Sequence, residues 1–205
     1  MSPLQLKSSS ASQTRLIGAF LGLCAEPGDV FLLIGDLGSG KTCLTQGIAL
    51  GLGIETGVRS PTFVLVTIHQ GRIPLYHIDL YRLDQVEEVL DLGLEEYLAA
   101  GGVSVVEWAD KALEVFPQPC LMVRLTYRGE KSRVIQLESQ GERYDRLVQL
   151  VGKAVDEGTF SKKMKSLVDE VKSECALARN GTDQMSDSAN SVAASIEELT
   201  SSISE

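Results

Sequence analysis

The sequence predicts an α/β fold with a mostly parallel sheet and antiparallel edge strands. Three observations predict it. "VFLLIG", residues 30–35, is apolar throughout and bounded by turn residues, which suits a strand covered on both faces. A glycine-rich loop follows at once and opens a helical stretch. Strand-like and helix-like segments then alternate to about residue 152.

Taken in order, Ser10 and Gln13 can form a capping box ahead of "TRLIGAFLGLCA", an amphipathic helix. "EPGD" is a turn, the buried strand at 30–35 follows, and "KTCLTQGIALGLG" reads as a helix ending at Gly51 or Gly53. "SPTFVLVTIHQGRIPLYHIDLYRL" reads as two strands joined at Gln70, Gly71 and Arg72. "VEEVLDLGLEEYLAA" is helical with a break at Gly93, and "GGVSVVEW" is another buried strand. "PCLMVRLTYRGEKSRVIQLES" is a hairpin turning at Gly129, Glu130 and Lys131. "YDRLVQLVGKA" is a closing helix.

The character changes after about Gly158, so the chain divides into a domain over 1–155 and an extension over 156–205. Phe160 is the one aromatic residue beyond Val151. From Met164, Val168, Val171 and Cys175 to Ile196, Leu199 and Ile203, apolar positions step by alternating fours and threes, a heptad register. Asn180 and Gly181 interrupt it at a turn. The extension is therefore expected to be helical, a coiled coil or hairpin capable of self-association; weak seam residues leave a partly disordered tail as the alternative.

Bulk properties narrow the function. Hydrophobic residues make up 43% of 205, enough for a core, and the net charge of −9 argues against gripping nucleic acid through a basic face of its own. A role beside another subunit that holds RNA stays open. Cys24, Cys43, Cys120 and Cys175 form no CxxC, and the two histidines complete no zinc pattern, so reduced thiols in a cytoplasmic protein are expected. "MSPLQLKSSS" is not expected to be a signal peptide, nor "LIGAFLGLC" a membrane span.

The chemistry lies in "IGDLGSGKTCL", residues 34–44. Gly35-x-x-x-x-Gly40-Lys41-Thr42 matches the P-loop pattern. Glycines let successive N–H groups curl toward phosphate oxygens. The helix beginning near Lys41 adds the positive end of its dipole. Lys41 meets the β- and γ-phosphates, and the Thr42 hydroxyl is a hard oxygen ligand for Mg²⁺. A P-loop also needs an acidic group for magnesium and for the attacking water. Asp79 in "LYHIDLYR" and Glu107 in "VSVVEW" both stand at the carboxyl ends of strands, where open α/β sheets bind ligands. His77 is expected to be packed or hydrogen-bonded rather than catalytic. Trp108 lies either near the nucleotide base or in the core. No N/T-K-x-D guanine-reading sequence and no LSGGQ-like signature is present.

"GDLGSGKTCLTQGIALGLG", "VRSPTF", "YHIDLYRL" and "VVEWAD", in this order and spacing, resemble the TsaE (YjeE) family, small bacterial ATPases of tRNA threonylcarbamoyladenosine biosynthesis. The resemblance covers about residues 8–152. It implies a P-loop NTPase fold, binding and hydrolysis of ATP with Mg²⁺, and action with TsaD and TsaB, which attach a threonylcarbamoyl group to adenosine beside the anticodon. tRNA is then met indirectly, through the complex. The resemblance puts Gly38, Ser39, Gly40, Lys41, Thr42 and Cys43 around the phosphates. It makes Thr42 and Glu107 magnesium ligands and gives Asp79 the attacking water, with Lys41 as its catalytic companion. It further sets Thr62, in a switch-like "SPTF" loop, Thr14 and Trp108 near the nucleotide. Two departures stand out. Cys43 replaces a usual threonine or serine, and family members typically end near residue 155. The extension faintly resembles the long helices of methyl-accepting chemoreceptors, and no function follows from that. Rival readings are a P-loop small-molecule kinase, for which the arginines form no lid-like cluster, and a nucleotide-gated assembly protein. Slow turnover without partners is expected, because no arginine is set beside the P-loop by sequence.

Overall fold

A computed structural model describes residues 2–54, 57–129 and 131–156. The helical extension expected beyond them lies outside the described residues. Seven strands form one sheet: β1 (Leu4–Ser8), β2 (Val30–Ile34), β3 (Val66–His69), β4 (Leu75–Asp79), β5 (Val103–Glu107), β6 (Cys120–Tyr127) and β7 (Arg133–Gln140). Their spatial order is β1-β7-β6-β2-β5-β4-β3. The central four, β6, β2, β5 and β4, run parallel. β7 with β1, and β3 on the opposite edge, are antiparallel. The architecture is the expected α/β one.

The apolar run of β2 divides between two cores, as the alternation of a strand requires. Phe31 and Leu33 face helices α1 (Ala11–Leu23), α2 (Lys41–Gly51) and α5 (Glu142–Asp156). Val30, Leu32 and Ile34 face the short helices α3 (Val86–Leu90) and α4 (Leu94–Ala99). Covered on both sides, β2 has no room for a polar residue. The break between α3 and α4 falls at Gly93, whose φ of 62° is left-handed.

α1 and α2 approach closely enough that four glycines stand where no β-carbon fits. A Cβ on Gly18 would lie 2.2 Å from the Leu44 carbonyl oxygen, and one on Gly22 2.1 Å from that of Ile48. From the other side, Gly47 would meet the Arg15 oxygen at 2.1 Å and Gly51 that of Ala19 at 2.2 Å. Two Gly-x-x-x-Gly faces therefore press backbone to backbone and fix α2, with its first turn, against the rest of the domain.

Three local details differ from the sequence reading. β1 goes unread there, yet Leu4 and Leu6 point inward and the strand pairs with β7 from Leu4–Leu137 to Ser8–Arg133. The capping box closes one residue early. Ser10 Oγ accepts from the Gln13 N–H at 3.1 Å, while Gln13 Oε1 accepts from the N–H of Ser9 at 2.7 Å. The strand expected from Ser60 onward begins only at Val66. The N–H groups of Val64 and Leu65 both turn back to the Pro61 carbonyl, and Leu65 has a φ of 65°. That turn holds the "SPTF" segment over the end of β4.

The far end of the sheet is tied by α5. Tyr144 is buried, and its hydroxyl accepts the Val30 N–H at 2.7 Å. Arg143 bonds the buried Asp29 carboxylate at 2.7 Å, just before β2.

Candidate functional site

The phosphate loop forms as its residues dictate. Gly38 and Gly40 have φ of 77° and 104°, a region side chains avoid. Gly40 caps α2, so Lys41, Thr42 and Cys43 make the first turn of that helix. The loop borders a cavity of about 390 Å³ at the carboxyl ends of β2, β4 and β5. Its wall carries Leu37, Gly38, Gly40, Lys41, Thr42, Cys43, Ser60, Thr62, Asp79, Tyr81, Glu107 and Trp108.

Most of the residues singled out in the sequence thus come together. Two do not reach the wall. Ser39 is buried, and its Oγ has no hydrogen-bond partner among the described residues. Thr14 is 1% exposed, with its hydroxyl 2.8 Å from Ser8 Oγ and 3.3 Å from the Ser10 carbonyl.

Lys41 is curled onto its own loop. Its ammonium donates to the Gly35 carbonyl at 2.5 Å and to that of Asp36 at 3.0 Å, and it stands 3.5 Å from the centroid of the Trp108 ring. Burial pushes its pKa below the usual lysine value. The carboxylates of Glu107, Asp110, Asp79 and Asp36 pull the other way. Trp108 follows Glu107 with a φ of 62°, a strained conformation for a bulky residue. That turn sends its ring back over the lysine.

Glu107 anchors one side of the site. Thr42 Oγ1 donates to its Oε2 at 2.8 Å, and His77 Nε2 lies 2.8 Å from its Oε1. Thr45 Oγ1 is 3.2 Å from Oε1 and 3.1 Å from the Lys41 carbonyl, so its single hydrogen serves one of the two. Asp79 anchors the other side. Its Oδ2 accepts the hydroxyls of Ser60 and, at 2.9 Å, Thr62, while Oδ1 accepts the Tyr81 N–H at 2.9 Å. One carboxylate thus grips α2 and the other grips the "SPTF" turn.

The donor set fits a magnesium ion. Mg²⁺ takes one or two hard protein oxygens and completes its octahedron with phosphate and water; neighbouring ligands then lie about 3 Å apart. Thr42 Oγ1 and Glu107 Oε2 are 2.8 Å apart on the cavity wall. Among the described residues no cluster of three or more His, Cys, Asp or Glu side chains is arranged to hold a metal unaided. A bound phosphate chain would have to complete such a site.

Two residues, Thr45 and Arg133, escape the sequence reading, and His77 is read there without its partner. Thr45 lies one helical turn beyond Thr42, a spacing that could have flagged it. His77 is buried and hydrogen-bonded, as expected, but its partner is Glu107. Arg133, at the start of β7, comes within 3.5 Å of where a Gly40 β-carbon would stand. No arginine is set beside the loop by sequence; folding brings Arg133 there through the β6–β7 hairpin, and Arg15 of α1 comes within 3.9 Å of Cys43 Sγ. Arg133 also lines a second cleft of about 530 Å³, with Lys7, Ser8, Ser9, Gln13, Arg128, Ser132 and Val134. Cys43 lines the first cavity, its thiol pKa raised by burial and opposed by Arg15 and Arg133.

A parallel-sheet core, a glycine loop leading into a helix, and a lysine and threonine on that helix's first turn define an α/β protein of the P-loop NTPase fold. The family model described as threonylcarbamoyl adenosine biosynthesis protein TsaE matches residues 8–135. The tRNA threonylcarbamoyladenosine biosynthesis protein TsaE of Bacillus subtilis is 41% identical over 148 residues, 72% of this chain and 92% of that protein. Its counterpart in Treponema pallidum is 39% identical over 128 residues, 62% of this chain and 95% of that one. The crystal structure of YdiB from Bacillus subtilis superposes with a TM-score of 0.65 at 36% identity, covering 74% of this chain and 95% of that one. The chain belongs to the TsaE family of tRNA threonylcarbamoyladenosine biosynthesis.

Proposed function

We propose that the chain binds ATP with Mg²⁺ in the P-loop cavity and hydrolyses it slowly, in support of threonylcarbamoyl transfer to tRNA by a TsaD–TsaB-like pair. The observation that carries this reading is the Thr42–Glu107 contact beside Lys41. It presents two hard oxygens and one ammonium to the same cavity.

The roles follow from position. The N–H groups of the loop and the α2 amino terminus hold the phosphates. Lys41 leaves the Gly35 and Asp36 carbonyls for the β- and γ-phosphates. Thr42 and Glu107 would hold the magnesium, which would supply positive charge to neutralise the phosphate chain. Asp79 orients the water. As the water oxygen bonds to the γ-phosphorus, the bond to the bridging oxygen breaks, ADP leaves, and the proton passes to phosphate. Asp79 Oδ1 accepts one donor among the described residues, the Tyr81 N–H, so a lone pair remains for that water while Oδ2 keeps hold of the "SPTF" turn. The second cleft, lined by Arg133, offers room for ribose and base.

Partner dependence rests on what the cavity wall lacks. Phosphoryl transfer gains about 10³–10⁵ in rate from an arginine on the γ-phosphate. Arg133 stands outside Gly40, and no arginine is among the wall residues near Asp79 and Glu107. Phosphate release measured alone, then with a TsaD–TsaB-like pair, then with tRNA added, tests the proposal. A stepwise increase is expected. Fast turnover by the isolated chain, unchanged by partners, would overturn it. The same chemistry puts the protein in the cytoplasm, where tRNA and ATP are. None of the described helices is long and apolar enough to cross a membrane.

A further inference from the structure

His77 is fully buried on β4, in register with Val105 of β5, two residues short of Glu107. Its Nδ1 has no hydrogen-bond partner among the described residues. An imidazole with one bare nitrogen in a sheet interior costs more than the leucine or phenylalanine that would fill the space. What the ring gives in return is one contact, Nε2 to Glu107 Oε1 at 2.8 Å. A carboxylate only accepts, so Nε2 carries the hydrogen.

We propose that His77 is a positioning residue. By holding Oε1, it turns Oε2 of Glu107 toward Thr42 and the cavity, where the metal is to be bound. The inference rests on the reading of Thr42 and Glu107 as the magnesium pair. The last torsion of a glutamate is broad and nearly two-fold, so the carboxylate needs an external anchor to present a chosen oxygen. Thr45 alone is a weak anchor, because its hydrogen is also claimed by the Lys41 carbonyl. Loss of such an outer partner typically lowers metal affinity about 10- to 100-fold.

The test is calorimetric binding of a non-hydrolysable ATP analogue to the full chain, titrated with Mg²⁺ and repeated in EDTA. Three variants separate anchoring from packing. His77→Leu fills the space with no donor, His77→Gln reaches as far as Nε2 with an N–H, and His77→Asn falls a bond short. Leu and Asn are expected to raise the Mg²⁺ concentration needed for tight binding by about 10- to 100-fold. Gln should stay within about threefold of wild type, and binding in EDTA should be the same in all four proteins. If the Leu variant does not fold, the Asn–Gln contrast carries the same test. A wild-type Mg²⁺ response in the Leu or Asn variant would overturn the proposal, as would an equal loss with and without Mg²⁺. A wild-type protein whose binding ignores Mg²⁺ would instead overturn the site reading itself.

Discussion

The Lys41 ammonium lies 3.5 Å from the centre of the Trp108 ring, within reach of the attraction between a cation and an aromatic face. Phosphates entering the loop would draw the lysine off that face. Trp108 is the chain's one tryptophan, so its fluorescence should change when nucleotide binds. Lys41→Met should abolish the change at ordinary concentrations and weaken binding about 100-fold, roughly two charge-assisted contacts. It should leave the fold intact, because a buried ammonium is exchanged for an apolar chain of similar length. Binding of wild-type strength by the variant would show that the loop is no phosphate site.

Glu107 and Asp79 should separate by phenotype. Glu107→Gln keeps the shape and removes the charge facing Thr42, so nucleotide binding should lose its dependence on Mg²⁺. Asp79→Asn should leave affinity within a few-fold and reduce single-turnover hydrolysis by about 100-fold or more, as expected for a group that orients the nucleophile. Quenched-flow phosphate release with matched binding curves distinguishes them. Exchanged phenotypes would exchange the roles.

Cys43 offers a chemical probe of the same cavity. Burial raises its thiol pKa, with Arg15 and Arg133 opposing. Alkylation should be slow near neutrality and accelerate as pH rises toward and past the ordinary thiol range. Bound nucleotide should slow it further, because Cys43 lines the cavity. Mass spectrometry of the labelled peptide, with Cys43→Ser as control, reads both effects. Equal labelling with and without saturating ATP would remove Cys43 from the binding surface.

Tyr144 should make stability sensitive to alkali. Its hydroxyl is buried against the Val30 N–H, and burial lifts its pKa well above the unfolded value of 10.0. Below that value both states keep the proton and the contribution is complete. Above it the unfolded chain ionises first, so stability falls by up to about 1.4 kcal/mol per pH unit. Tyr144→Phe should cost about 1–3 kcal/mol near pH 8 by leaving the Val30 N–H unpaired. The gap between the two proteins should narrow toward about pH 11. Urea unfolding at both pH values measures it.

The parts legible in the sequence are those whose signal is local. β2 is an unbroken apolar run, the P-loop is a fixed spacing, and Gly93 breaks a helix where its conformation demands. Asp79 and Glu107 are found because strand ends are where such sheets bind ligands. His77, Thr45 and Arg133 are not legible in the same way. Each acts through a neighbour supplied by a different element, so their roles exist only once β4, α2 and the β6–β7 hairpin are assembled. β1 is missed because one short alternating strand resembles any polar terminus until β7 lies beside it. The "SPTF" segment looks extended by composition, and the Pro61 carbonyl turns it instead.

The backbone contact between α1 and α2 has a genetic corollary. Any single-base change in a glycine codon that alters the residue adds a β-carbon, and at Gly18, Gly22, Gly47 and Gly51 that carbon would land 2.1–2.2 Å from a carbonyl oxygen of the facing helix. These four codons are therefore closed to missense drift, although none of them encodes a side chain that touches the cavity. A mutational survey scored for loss of activity would mark them as strongly as Lys41, and the way to tell the groups apart is heat: defects at the helix seam should ease on cooling, whereas those at the phosphate loop should not.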